Sequence, residues 1–563
     1  FVNYIDANML YVPVFNIKGK EKISRNDFYC SSCHKWLKIN ESIKQIKNHA
    51  SVHIPDLFKK QSQNNNIIGE EQNKLFIKNI TFFILFETNS FRSIESLFLK
   101  NISRELPSRE RITLALKNIA NYTRREIKSL LSISKANYLT FDQWTDSKNR
   151  DFLGITIRSY INKNYKDFFL DLIYLYSEIN NADLIANKVK ESLQKYGLYM
   201  IDIVSCTTDN CPLMVQSVEK LLTWRIPCVL HILNKIFQVF IENIKNTINP
   251  IFVLINFLNK STKYQNYLDR EKEKGIIIKK VPGYCEVRWT SFSDSLITLY
   301  ETQNKIKEFL GMNNFLDKKQ LSYLSILQNL CKAYKKAVLE YESDSFGAIS
   351  YFLVDIKIIN NKFTDLETSD FRDAAIMAKE KINEYKKIYW YFWDVICPIA
   401  VLLNPRIEEY KLLLNEEQIE ASKREIERRM SYYTYMESEE EEYDSEESRV
   451  SLFKKNDNEE KEVPQVPIVK LLEKRNCKIK DLKDYWEKKI GTSDNQMAYV
   501  AMEILGALVT SVMSERSFSK GRYVLNENRT NLSPENACDH LLIKCNRSIA
   551  IKSIDIIDIF EKE

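Results

Sequence analysis

The sequence predicts a multidomain chain in which a small metal-binding module precedes an α/β core and a long all-helical region. Three observations predict it. The 563 residues exceed what one compact core holds, at ~100–200 residues per domain. Cysteines and histidines cluster near the N-terminus. β-prone runs then alternate with helical patterns from about 138 to 230, and a Gly-poor helical stretch continues to about 490.

Composition narrows the classes. Hydrophobic residues are 44% and charged residues 28%, which excludes wholesale disorder. With 11 Gly and 12 Pro, collagen-like and Pro-rich architectures are excluded. No apolar run approaches the ~20 residues of a membrane span. Eleven cysteines scattered over this length do not form a disulfide framework, so a reducing, intracellular compartment is expected. The chain begins at Phe1 rather than Met, which leaves room for residues upstream. The net charge is +6, but Glu437–Glu462 holds twelve acids and four bases, leaving +14 over the rest. A basic body with one acidic insert suits a polyanion-binding protein; a charged loop on a mildly basic enzyme fits equally.

The chain separates into eight segments. Residues 1–20 form a leader, 21–56 the Cys/His module and 57–70 a polar linker containing Gln61-Ser-Gln-Asn-Asn-Asn66. Residues 71–135 read as helical, since Ile112, Leu116 and Ile119, then Ile127, Leu130 and Leu131, recur at three- and four-residue steps. Arg104, Arg109, Arg111, Arg124, Arg125 and Lys128 decorate this region, as a solvated face or a DNA-backbone contact. Residues 136–240 carry the α/β block: strands at 138–141, 152–160 and 168–176, a helix near 183–195, a strand at 201–206, a helix at 212–222 and a strand at 226–230. Residues 241–490 read as helical around the acidic run 437–462. Residues 491–550 read as helices around Ser514-Glu-Arg516, and 551–563 form a tail.

The strongest local signal is Cys30-x2-Cys33-x15-His49-x3-His53. A Cys pair two apart forms one chelating corner of a tetrahedral Zn²⁺ site, and two histidines one helical turn apart form the other. Phe28, Tyr29 and Trp36 supply a miniature core. A four-ligand site is structural, and a module this small needs its metal to fold. Lys35, Lys38, Lys44 and Lys47 are its candidate DNA contacts. The spacing resembles the BED-type finger.

Two acids stand out by context. Asp142 ends the first β-prone run, and Asp209 comes just after the run Ile201–Cys206. Acids just past strand ends gather at the carboxyl edge of an open α/β sheet. Two convergent carboxylates bind a divalent metal, and a third completes a two-metal site. Acids in such turns also serve as helix caps.

Several blocks resemble transposases of the hAT (hobo–Activator) superfamily. They are Thr140-Phe-Asp-Gln-Trp-Thr-Asp146, Thr208-Asp-Asn210, Cys228-Val-Leu-His231-Ile-Leu-Asn234, Arg288-Trp289-Thr-Ser291, Ser514-Glu-Arg-Ser-Phe-Ser519 and Arg529-Thr-Asn-Leu-Ser-Pro534. They stand in family order across about 400 residues. The resemblance implies an RNase H-like catalytic core, its two parts at 136–240 and 491–550, interrupted by the helical insertion 241–490. It implies a catalytic triad of Asp142, Asp209 and Glu515 holding Mg²⁺ or Mn²⁺, with Glu515 in a short helix ended by Gly521. It implies that Trp289 stacks on DNA during hairpin formation, although simple core packing fits as well; Arg288 beside it could hold a phosphate. His231 would touch DNA or orient an acid, although a buried structural histidine fits as well. Double-stranded DNA, namely element ends and target, would be the substrate. A homodimer or higher oligomer and a nuclear location are also implied. Gly506-Ala-Leu-Val-Thr-Ser-Val-Met513 lacks the Pro and small residues of the family, and Leu541-Leu-Ile543 replaces a more aromatic stretch. A domesticated DNA-binding descendant that no longer cuts is therefore the alternative to an active transposase, and an unrelated zinc-containing scaffold is the third.

The zinc assignment has a direct check. Atomic emission on purified protein is expected to show about one zinc per chain, as one four-ligand site requires. Cys30→Ser is expected to abolish it, and full retention would refute the site.

Overall fold

In the computed structural model, the described residues are 11–13, 27–30, 35–38, 77–79, 81, 85, 107–146, 148–175, 181–284, 290–311, 315–439, 475–476, 478–524, 532–556 and 559–560. The chain is mixed α/β and mostly helical. It divides into two compact units. One comprises Phe1–Ile127, Asp146–Arg150 and Ser519–Glu563, the other Lys128–Thr145 and Asp151–Phe518.

In the first unit, β1 (Tyr11–Pro13), β2 (Asp27–Cys30) and β3 (Lys35–Lys38) form an antiparallel sheet in that order. Cys30, the last residue of β2, pairs with Lys35, the first of β3. Cys33, His49 and His53, with Lys44 and Lys47, lie outside the described residues. Helix α1 (Arg109–Leu131) buries Ile112, Leu116 and Ile119, as its periodicity predicts. Its basic row is not all free for DNA: Arg124 pairs with Asp539, and Arg111 lies over the ring of Phe560. His540 is fully buried, and its Nε2 is hydrogen-bonded to the carbonyl of Leu85.

The second unit is built on a five-stranded mixed sheet. Its strands are β4 (Asn137–Thr145), β5 (Asp151–Ile161), β6 (Asn164–Tyr174), β7 (Ile203–Thr208) and β8 (Trp224–Pro227), in the order β6-β5-β4-β7-β8. β4, β5 and β6 are antiparallel neighbours, whereas β7 runs parallel to both β4 and β8. Parallel neighbours need crossovers. Helix α2 (Ala182–Lys195) lies between β6 and β7 in sequence and α3 (Pro212–Leu221) between β7 and β8. Asn181 starts α2 by accepting from Leu184 N at 2.8 Å, and Pro212 opens α3, where its missing N–H costs nothing.

The boundaries shift for physical reasons. β4 runs past Phe141 because hairpin pairing with β5 continues to Thr145↔Asp151 despite the polar sequence. β6 begins at Asn164, earlier than its apolar run, because Asn162 and Lys163 both adopt left-handed backbone (φ 50° and 62°) and close a two-residue hairpin. The apolar run at 226–230 is split: β8 ends at Pro227, and α4 (Val229–Ile244) takes the remainder.

Helices occupy most of the chain beyond β8. They include α5 (Asn249–Lys260), α6 (Thr262–Glu273), α7 (Ser291–Leu310), α8 (Lys318–Glu342), α9 (Phe352–Leu366), α10 (Arg372–Ile388) and α11 (Glu416–Glu439). They share one apolar core with α4, in which Phe237 stacks on Tyr334 with ring centroids 3.9 Å apart. Of the acidic run 437–462, only its start lies in α11, and 440–462 fall outside the described residues. The chain then returns to the sheet through α12 (Asn495–Leu505) and α13 (Val512–Val524), before α14 (Pro534–Cys545). Gly521 does not end the helix bearing Glu515. It lies inside α13, where the ~1 kcal/mol cost of an interior glycine is tolerated.

Gly154 on β5 permits a close approach. A Cβ there would collide with the ring of Phe518, which stacks on Trp144 with centroids 6.0 Å apart. Gly154→Ala is expected to lower stability by about 1–3 kcal/mol in chemical denaturation, the usual cost of overpacking. An unchanged denaturation midpoint would show that the Phe518 ring yields freely.

Candidate functional site at the end of the parallel strands

The centre of the sheet positions the two aspartates. Asp142 lies within β4 opposite Gly154, rather than past the strand end as its apolar run suggested. The parallel ladder to β7 reaches Thr140↔Thr207, so extending this register sets Asp142 level with Asp209. Asp209 directly follows β7, and its Oδ1 accepts from Cys211 N at 3.2 Å, which shapes the turn into α3. It therefore plays the capping role open to any turn acid and stands at the carboxyl edge as well.

The third acid arrives from far along the chain. The segment before α13 is fastened to the sheet by polar contacts. Thr207 Oγ1 donates to Leu508 O at 2.6 Å, and Val229 N to Val509 O at 2.9 Å. Ser511 N and Oγ both lie 3.5 Å from Cys228 Sγ. The hydroxyls of Thr140 and Ser514 are 3.0 Å apart, and that of Thr156 bonds to Thr140. All these groups are buried. They leave Glu515 in the first turn of α13, near enough to Asp142 for its charge to act there.

The acids act on one another. Asp142, Asp209, Glu515 and His231, the last in the first turn of α4, are all half-buried. Burial, then the charge of Asp209, pushes Asp142 up to about 7, with Glu515 acting in the same direction. The Gln143 N–H and His231 oppose this rise. Burial also raises Glu515, helped by Glu342 and Asp209 and opposed by His231 and a hydrogen bond from Ser511. Glu342, at the end of α8, is an acid that sequence reasoning missed, because no local pattern marks it among 76 acids.

An all-oxygen donor set of this kind suits a hard divalent cation, and positive charge would relieve the repulsion that raises Asp142. Among the described residues, no three His, Cys, Asp or Glu side chains already converge as a ready-made metal cage. The carboxylates thus stand within electrostatic reach without being closed on one another. Arg288 and Trp289 lie outside the described residues.

The electrostatics fix a sign. Asp142 titrates near 7 in the folded chain against ~3.9 unfolded, so the folded state binds more protons between those values. Stability from this group is present below about pH 4 and is lost as pH rises to about 7. Asp142→Asn is therefore expected to raise the melting temperature in metal-free buffer at pH 8, with the gain disappearing near pH 4. Scanning calorimetry checks this, and a lower melting temperature at pH 8 would contradict it.

Comparison with known families adds one finding. Residues 465–546 match the hAT family C-terminal dimerisation region. The matched stretch contains α12, α13 with Glu515, and α14. Comparison of the chain with curated proteins returned no match. The dimerisation region supports membership of the hAT family, points to a hAT transposase-like protein and supports homo-oligomerisation.

Proposed function

We propose that the chain is a cut-and-paste DNA transposase in which Asp142, Asp209 and Glu515 hold Mg²⁺ or Mn²⁺ for phosphodiester cleavage and strand transfer. One observation carries this reading. Acids that are 67 and 306 residues apart in sequence meet in one electrostatic neighbourhood at the carboxyl edge of a sheet. The mixed sheet in the order β6-β5-β4-β7-β8, with its antiparallel half and parallel half, supports the reading of an RNase H-like core. The matched dimerisation region agrees, since two element ends call for a two-fold assembly.

When bound, the divalent ions supply Lewis-acid activation of the attacking oxygen and stabilise the leaving one. The chain's own residues do the rest. Asp142 on its strand and Asp209 on its turn are held by the sheet, and the Ser511 and Ser514 contacts hold the start of α13 so that Glu515 stays within their electrostatic reach. A rigid frame of this kind is what positions a scissile phosphate. His231 opposes the rise of both Asp142 and Glu515, and there it would touch DNA or orient an acid. Trp289 would stack on an unpaired base, worth ~1–3 kcal/mol, and Arg288 would grip a phosphate. A BED-type zinc finger at Cys30, Cys33, His49 and His53, with Lys35, Lys38, Lys44 and Lys47, would engage the element ends in the nucleus. A domesticated DNA binder would keep such a finger without needing three mutually repelling carboxylates, and the raised Asp142 favours the enzyme.

The test is cleavage of a terminal-repeat duplex in Mn²⁺. Hairpin products on flanking DNA are expected, with Asp142→Asn reducing the rate by at least ~10²-fold while DNA affinity persists. Tight binding with no strand breaks in the parent protein would replace the enzyme with the domesticated alternative.

A further inference from the structure

One half-buried cation touches the turn that bears Asp209. Arg225 lies on β8, and its Nη2 donates to the carbonyl of Asp209 at 3.1 Å and to Asn210 Oδ1 at 2.9 Å. A single guanidinium nitrogen thereby bridges two consecutive residues of the loop. Asn210 is held on its other side, its Nδ2 donating to Cys228 O at 3.4 Å. The guanidinium lies over Tyr389, 5.2 Å from the ring centroid. Tyr389 caps the C-terminus of α10 in the helical region, and Tyr385 stacks on it in turn, 5.9 Å away and nearly parallel. The Nε of Arg225 is buried with no hydrogen-bond partner among the described residues. A guanidinium desolvated this far is costly unless its remaining contacts are well made.

These contacts exceed what the strand needs. Arg225 already pairs with Cys206 through the backbone ladder, so its side chain is not required to hold β8. The bonds go instead to the one loop whose acid reaches the site, and the support beneath them comes from a helix more than 160 residues later in the sequence. We propose that Arg225 is a positioning residue: it holds the Asp209 turn so that the carboxylate faces Asp142, with Tyr389 of α10 bracing the guanidinium. The helical region thereby takes part in forming the acid site. This inference rests on the reading of Asp142, Asp209 and Glu515 as metal ligands.

The charge of Arg225 makes the test discriminating. A cation beside carboxylates repels a divalent ion, so a bystander arginine replaced by a neutral residue would leave Mn²⁺ affinity tighter. A positioning arginine does the opposite, because the acid it orients loses its place. The experiment titrates Mn²⁺ into the full chain without DNA, reading free Mn²⁺ by electron paramagnetic resonance. The proteins are the parent, Asp209→Asn, Arg225→Gln, Arg225→Lys and Tyr389→Leu. Asp209→Asn is expected to weaken binding, which places the ion at the acids. Arg225→Gln is expected to weaken it about tenfold, the lower end of what outer-sphere partners of metal ligands contribute. Arg225→Lys, which keeps the charge but reaches one acceptor, is expected to recover part of the loss, and Tyr389→Leu to weaken binding less than Arg225→Gln. The melting temperature of Arg225→Lys is expected to stay at the parent value. If Asp209→Asn weakens Mn²⁺ binding while Arg225→Gln leaves it unchanged or tightens it, the positioning role is overturned and the metal centre survives. If Asp209→Asn has no effect, the metal centre is overturned and this inference falls with it. If Arg225→Lys recovers none of the affinity and melts well below the parent, Arg225 is a fold residue and the positioning role is overturned.

Discussion

The docking of residues 505–515 onto the sheet is the constraint on which the remaining architecture depends. Beside the apolar packing of Leu508 and Met513 on Tyr138, buried polar contacts fix it: Thr207 to the Leu508 carbonyl, Cys228 to Ser511, Thr140 to Ser514. Toward the other end of the strands, Tyr138 and Tyr165 both donate to the carbonyl of Met502 as α12 ends. Buried hydroxyls and carbonyls left unpaired cost more than their bonds return when made. Such contacts therefore specify position more than they add stability. A purely apolar contact could slide by a helical turn; a Thr–Ser hydroxyl pair cannot.

That precision has an electrostatic consequence. Glu515 is delivered to a place already holding Asp142 and Asp209, and burial together with like charge raises both Asp142 and Glu515. A fold selected only for stability would not retain such an arrangement. The destabilised carboxylates constitute a stored preference for positive charge. His231 answers part of it from within the chain. The placement of Glu342 and Arg516 extends the charged environment: Arg516 donates to the Glu342 carbonyl and lies 3.8 Å from the buried Asp344. A shift of α13 would therefore part Arg516 from both partners.

Much of the fold was legible in the sequence. The helical face of α1 is set by Ile112, Leu116 and Ile119 recurring at helical steps. β7 and α3 are marked by an apolar run ended by Thr-Thr-Asp-Asn-Cys-Pro, because proline tolerates the first helical turn. The illegible features involved partners distant in the chain. The extension of β4 through Asp142 comes from its hairpin with β5, and the polar residues Gln143 and Thr145 carry no strand signal of their own. The continuation of α13 through Gly521 reflects tertiary context overriding a weak local preference. In the site, Asp142 and Asp209 could be selected by position after β-prone runs, whereas Glu515 rested on family resemblance, and Glu342 and Arg225 were invisible.

By itself the sequence determined the classes of element, the α/β order of 136–240, the helical character of the described residues beyond 241 and the family-like blocks, because these depend on periodicity and on neighbours a few residues apart. Only the tertiary structure decided which of 76 acids share a field and which cation braces their loop. The physical reason is range. Hydrophobic patterning acts through local geometry, but a carboxylate's charge acts on whatever the fold brings near it, and contacts spanning some three hundred residues leave no local trace in the chain.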